Sequence, residues 1–431
     1  MPLPLVRRVA PAPAPSAPPR PGPGAATGGP HPFVAGYAVV VLVLGTGAFA
    51  PLAQGGRVQT VVFALWACAY LVAAAGVFDS VFRRREPLRF PPVLLLYTAL
   101  TALSTLWSVA PGLTGRRSLG LIGTVAVGVF LARELSALDL LDAVRRAVLV
   151  VAVSSLLLFA SGSGLALDEV HGTLRGVLST KNTLGRVLAL GVLAAALLAL
   201  LDHRRRRRAA VSGVLLLGTL PLTASTGGAV IALAAVLTAA TVAVARQRRG
   251  ASAVAAAAAL SAAAACALLP SVSAADATGA IGEDATLTGR TDIWRQSLQA
   301  LSQRPLLGHG YGAFWDEDAG APAADLIRAR LQWPVPNAHN GLLDVGLDLG
   351  VAGALLVLLL LAGTAARGVL DLHRGDAPAA ALRLSVTAYT VIATLVETGL
   401  VQQNSTYTLL LAAAAALPGT RAARDLTGRA A

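Results

Sequence analysis

The sequence predicts an all-α integral membrane protein of about 12 transmembrane helices. Both termini are expected inside, with one large outer loop containing short helices between the ninth and tenth spans. Three observations carry this. Hydrophobic residues make up 55% of the 431 and charged residues 13%, about half the roughly 25% that soluble domains carry. Apolar runs long enough to cross a bilayer recur along the chain. The arginines between those runs fall mostly on alternate sides.

Residues 1–32 are rich in Pro, Ala and Gly, with Arg7, Arg8 and Arg20. Such a segment cannot bury a core and is expected to be a disordered cytoplasmic tail. It does not read as a signal peptide, because no apolar run follows Arg8 before Phe33. The polytopic membrane domain is expected over 33–420. Its spans fall near 33–53, 58–82, 93–109, 118–134, 146–162, 183–201, 209–224, 226–245, 251–270, 338–362, 378–398 and 403–420. Residues 271–336 form the large extracytoplasmic loop, and 421–431 form a cytoplasmic C-terminal tail.

With the N-terminus inside, 24 of the 35 basic residues lie inside. They include Arg83–Arg85, Arg145, Arg146, Arg204–Arg208, Arg367 and Arg374, as the positive-inside rule requires. The net charge of +13 is therefore topological, and nucleic-acid binding has no support. The five-arginine run suits anionic lipid headgroups. Cys68 and Cys266 sit in apolar runs, so no disulfide framework or cysteine zinc site is expected.

The outer loop carries five Arg and eight acids and is longer than a connector needs to be. Within it Thr288–Trp294 opens a helical stretch, with Thr288 or Thr291 as cap and Ile293, Leu298 and Leu301 as apolar face. Pro305 ends the stretch, and Leu306–Gly312 is a Gly-rich turn. An arginine near a helix start can join backbone amides in holding phosphate, which makes Arg290 a candidate. Pairing with Asp292 is the alternative.

Asn340, Asp344 and Asp348 follow at i, i+4 and i+8 at the mouth of the tenth span, so they share one face. Ionisable groups in a span usually face a cavity. His339 beside them titrates near neutrality and suits a general base. The alternative is a helix cap with packing acids. At the outer start of the sixth span, Arg175 and Lys181, the sole lysine, stand with Asn182 beside glycine. That group suits a phosphate-bearing ligand, with interfacial snorkelling as the alternative.

Arg116 and Arg117 open the fourth span, placed to face lipid phosphates. Asp316–Asp318 has the carboxylate spacing of a metal motif but reads as a solvated run. Glu397, Gln402 and Gln403 are placed to line a polar cavity. His31, His171, His203, His309 and His373 show no ligand spacing, so no metal or cofactor is assigned.

At these residues the chain resembles the O-antigen ligase and polymerase family of bacterial membrane glycosyltransferases, of GT-C type. Four segments carry the resemblance over about residues 100–355. They are Ala102–Pro111, Arg175–Gly176 with Lys181–Asn182, Thr288–Trp294 with Pro305–Gly308, and His339–Gly350. The chain departs from the family pattern where Ser225-Thr226-Gly227 lacks a basic residue, where Thr180 precedes the Lys-Asn pair, and where Asp348 replaces Glu.

The resemblance implies a metal-independent transferase. Its donor would be a glycan on undecaprenyl pyrophosphate, and its acceptor a sugar hydroxyl on a glycan or glycolipid. Membrane lipids and polysaccharide-assembly proteins are the other partners it suggests. His339 would then orient or deprotonate the acceptor, while Arg290, Arg175 and Lys181 neutralise the leaving group, with Arg116 or Arg117 as further candidates. A GC-rich composition tilts the expected product toward an exopolysaccharide or other wall glycan. The site would face outward from the cytoplasmic membrane. The alternatives are a lipid-linked glycan flippase or other multi-pass transporter, and a non-catalytic family member.

Overall fold

The computed structural model describes residues 30–49, 56–85, 90–168, 172–248, 286–332, 334–396 and 398–418. The two expected tails, nearly all of the first and all of the second, lie outside them. So do the ninth span at 251–270, Glu397 and His171. The described residues are helical, with one isolated bridge between Leu167 and Leu174. The helices are α1 (Pro32–Gly45), α2 (Gly56–Phe78), α3 (Pro92–Leu103), α4 (Pro111–Glu134), α5 (Ala137–Ala160), α6 (Lys181–Leu201), α7 (Arg206–Thr219), α8 (Thr226–Arg248), α9 (Thr286–Gln303), α10 (Pro322–Leu331), α11 (Gly341–His373), α12 (Ala377–Val396) and α13 (Thr406–Ala416). Six are long and apolar enough to cross a membrane: α2 with its π-helical extension, α4, α5, α6, α11 and α12. Four more, α1, α3, α8 and α13, are apolar but shorter.

Helix starts account for most departures from the expected boundaries. Proline needs no N–H partner in the first turn, so Pro111 opens α4 seven residues before the expected start. Arg116 and Arg117 are thereby inside the helix. Ser136 caps α5 by accepting from the Asp139 N–H at 3.2 Å, so Asp142 and Arg145 enter a helix where a loop was expected. They are buried together at 2.6 Å, and Arg145 also donates to Ser212 of α7 at 2.8 Å. A buried pair persists only when its remaining polar atoms are also satisfied. The third expected span is cut short at Leu103, because residues 104–110 turn into the loop described below.

The core centres on α6, whose Leu184, Leu188 and Leu197 are fully buried against α5, α7 and α8. At its start α6 crosses α8 closely. A Cβ on Gly228 would lie 2.7 Å from the Gly185 Cα, so only glycine fits there.

α11 is a broken helix. Gly350 takes φ +66°, outside helical geometry, and the residues after α9 fill the gap. His309 and Gly310 donate to the carbonyls of Leu347 and Asp348 at 2.9 and 2.8 Å. Val351 and Ala352 donate to Pro305 and Leu306 at 2.8 and 3.2 Å. A side chain at Gly350 would place its Cβ 2.2 Å from the Leu306 carbonyl carbon. Broken helices at membrane depth need their backbone groups satisfied by protein, and here one loop satisfies both halves.

Candidate active site

The four segments singled out in the sequence fold to one end of the bundle. Ser104–Ala110 packs on Arg304–Gly312. Trp107 donates its indole N–H to Leu307 O at 2.9 Å, and Val109 N donates to His309 O at 2.9 Å. Ser104 Oγ accepts from Tyr311 N at 3.1 Å. Arg117 reaches the same loop from α4. It donates to Gly312 O and pairs with Asp316 at 2.6 Å, so this cation holds the loop together. Asp316 is thereby committed to an arginine, and Arg116 is exposed.

α9 lies against the turn before α11. It begins at Thr286, so Thr291 lies inside the helix rather than at its start. Its buried face is Ile293, Ser297 and Ala300; Leu298, expected in that face, is 57% exposed. Ile293 packs with Val335 and Ala338, and the Trp294 indole donates to Ala338 O at 2.9 Å. Arg290 lies one turn before Trp294 on the same face of α9. The Asp292 carboxylate pairs with Arg295 at 2.9 Å.

His339 sits at φ +48°, an uncommon conformation for a non-glycine residue that often marks a functional constraint. Its N–H donates to Asn337 Oδ1 at 2.9 Å. Asn340 is the cap of α11, accepting from Leu342 and Leu343 N–H at 3.1 Å each. Asp344 is 8% exposed. It accepts from Ala338 N at 2.9 Å, from the Trp315 indole at 2.8 Å and from the Thr398 hydroxyl. Asp348 accepts from Gly312 N at 2.9 Å. The shared face of Asn340, Asp344 and Asp348 is therefore turned to shaping the turn and loop around His339.

On α6, Lys181 is 5% exposed in the first turn. Thr180 caps that turn, accepting from Thr183 N at 3.1 Å. Asn182 accepts from Ser225 Oγ at 2.9 Å, which fixes the start of α8 where the family pattern carries a cation. Arg175, half-buried, donates to Leu165 O at 3.2 Å.

Arg186 was not singled out from the sequence, yet it joins the two groups. It donates to Thr398 O at 3.0 Å and lies 5.8 Å from the Tyr407 ring centre. The same Thr398 donates through its hydroxyl to Asp344. Its signal in the sequence was an arginine five residues after Lys181 inside an apolar span, which is costly without a role.

The turn before α13 closes the site. Tyr311 OH lies 3.1 Å from Gln403 Oε1 and accepts from Gln403 N at 3.1 Å. Burial, and then the charge of Asp348, raise the Tyr311 hydroxyl well above the ordinary phenol range. His309 is buried against Phe314, and burial pushes its pKa below the ordinary value despite a contact to Ala300 O. Both side chains are buried in the packing of this loop.

Six helices long and apolar enough to cross a membrane, with a polar, cation-bearing assembly at one end, suit a multi-pass membrane protein. Residues 211–358 match the family model described as O-antigen ligase. The resemblance of the chain to the O-antigen ligase and polymerase family is borne out by this match and by the relative below. The match takes in Arg290, His339, Asn340, Asp344 and Asp348. Arg116, Arg117, Arg175, Lys181 and Asn182 fall before it. Over 91 residues the chain is 33% identical to the exopolysaccharide production protein ExoQ of Rhizobium meliloti (strain 1021). That stretch is 19% of this chain and 19% of the relative, so the chain spans about a fifth of the relative's length.

Proposed function

We propose that this protein transfers or polymerises an undecaprenyl-pyrophosphate-linked glycan onto a sugar hydroxyl, at the outer face of the cytoplasmic membrane, in cell-surface polysaccharide assembly. The observation that carries the reading is the docking of α9 on the Ala338–His339 turn, which brings the Arg290 helix to the His339 segment. The Arg186–Thr398–Asp344 chain ties the cationic start of α6 to the same turn. In this reading His339 takes the proton of the acceptor hydroxyl as its oxygen attacks the anomeric carbon. The bond from that carbon to the pyrophosphate oxygen breaks. The leaving group gathers negative charge, and fixed cations stabilise such charge most where water is excluded. Arg290, Arg175 and Lys181 supply them without a metal, with Arg116 in reserve. Asp344 and Asp348 position the turn and loop.

The membrane placement is part of the proposal: about twelve spans with both termini in the cytoplasm. It is supported by Arg83, Arg84, Arg205 and Arg374, which lie at helix ends opposite the site, and by Arg145 and Arg146 in the opposite half of α5. The relative named for exopolysaccharide production favours an exopolysaccharide product.

Glycan transfer in proteoliposomes, with lipid-linked oligosaccharide from the native host as donor, tests the reading. Wild-type transfer is expected, with His339→Ala and Arg290→Ala each lowering it by about 100-fold or more while inserting normally. Transfer unchanged in both variants sinks the assigned roles. Donor crossing the bilayer with no new glycosidic bond means a transporter.

A further inference from the structure

The end of the bundle opposite the site holds a cavity of about 330 Å3, within the roughly 300–1,000 Å3 range of small-molecule sites. Arg367, Asp371 and Arg374 of α11, Arg383 of α12, Leu417 and Phe90 are among its walls. Three guanidinium groups thus face one carboxylate.

The local groups do not consume all of that charge. Arg383, 3% exposed, pairs with Asp371, 2% exposed, and donates to the carbonyls of Ala414 at 2.9 Å and of Leu417. Arg367 donates to Ala415 O at 2.8 Å. The C-termini of α11 and α13 contribute about half a negative charge each. Set against three arginines and one aspartate, these leave a surplus of about one positive charge. No described residue accepts from the Arg374 side chain.

Depth narrows the ligand. Arg367 lies six residues before the end of α11, and Arg383 six after the start of α12. That is about 9 Å along a helix, close to the thickness of one headgroup layer beside the hydrocarbon core.

We propose that this cavity binds the phosphate group of an anionic ligand, held by Arg367 and Arg374 over the fixed Arg383–Asp371 pair, and that its depth makes a phospholipid headgroup the source. This rests on the membrane placement proposed above and is independent of the transferase chemistry.

The test is native mass spectrometry of the full chain released from nanodiscs of phosphatidylglycerol mixed with phosphatidylcholine. Incorporation into nanodiscs checks the membrane placement separately. Retention of phosphatidylglycerol over phosphatidylcholine is expected, weakened about fivefold by Arg374→Gln, since each arginine near the surface is worth roughly that factor. Arg367→Gln should weaken it similarly. Arg374→Gln removes no described contact, so its folding is expected to match wild type.

Inorganic phosphate at millimolar concentration is the competitor. If it fails to displace the lipid, the headgroup source stands. If it displaces the lipid and itself protects against thermal unfolding, the phosphate site stands but the lipid source falls. Equal retention of both lipids, or wild-type retention by both variants, overturns the proposal.

Discussion

α6 and α11 both start at the site end of the bundle, and a neutral side chain caps each: Thr180 for α6 and Asn340 for α11. Each carries ionisable residues in its first turns, Lys181 and Arg186 on one and Asp344 and Asp348 on the other. The carboxylates are consumed by architecture, since Asp344 alone gathers Ala338, Trp315 and Thr398. The proposed leaving-group cations near α6, Arg175 and Lys181, carry the charge that the chemistry needs. A periodic row of acids at a helix mouth looks like a reacting surface, yet here it shapes the turn before α11 and the loop after α9. Acids that accept backbone and indole N–H groups build a shape, and in the proposed reaction the leaving group falls to the cations nearby.

The largest expected effect comes from breaking the frame. Asp344→Ala strands an indole N–H and a backbone N–H in a buried turn, at about 1–3 kcal/mol for each. Thermal unfolding in detergent should show a loss of about 3 kcal/mol or more, and a variant as stable as wild type would end the framing reading. Gly350→Ala should follow, at about 2 kcal/mol for the forced φ and the close approach to Leu306. Limited proteolysis within 304–312 should quicken with it.

On the cationic side, Arg175→Gln sharpens the comparison. It should cost less than about 1 kcal/mol yet lower glycan transfer about 100-fold; equal losses in both assays would make it scaffold too. The smallest effect is with pH. The folded state holds His309 below its ordinary pKa of 6.5. Its contribution is therefore full above pH 6.5 and is lost as pH falls toward the folded value. His309→Gln should flatten that part of the stability profile.

Much of the membrane body was legible, because the 183–201, 338–362 and 378–398 runs are predominantly apolar and became α6, α11 and α12. The misplaced starts share a cause. Arg116, Arg117, Asp142 and Arg145 looked like loop residues, since charge in a span is expensive, but each is at a helix mouth or is paired in a way that no local pattern reveals. The break at Gly350 was invisible, since one glycine among Leu, Val and Ala does not announce a positive φ. Lys181 stood out for being the sole lysine, whereas Arg186 was lost among many arginines. The pairing of Trp294 with Ala338 joins positions 44 residues apart, and periodicity is blind to that separation.

The repair of α11 by the segment after α9 works as a splice: two strands of rope held by a third laid across the cut. Its four hydrogen bonds fix residues 305–310 in register with 347–352. One residue added between Leu306 and His309 would therefore put the bonds made by Pro305 and Leu306 out of step with those made by His309 and Gly310.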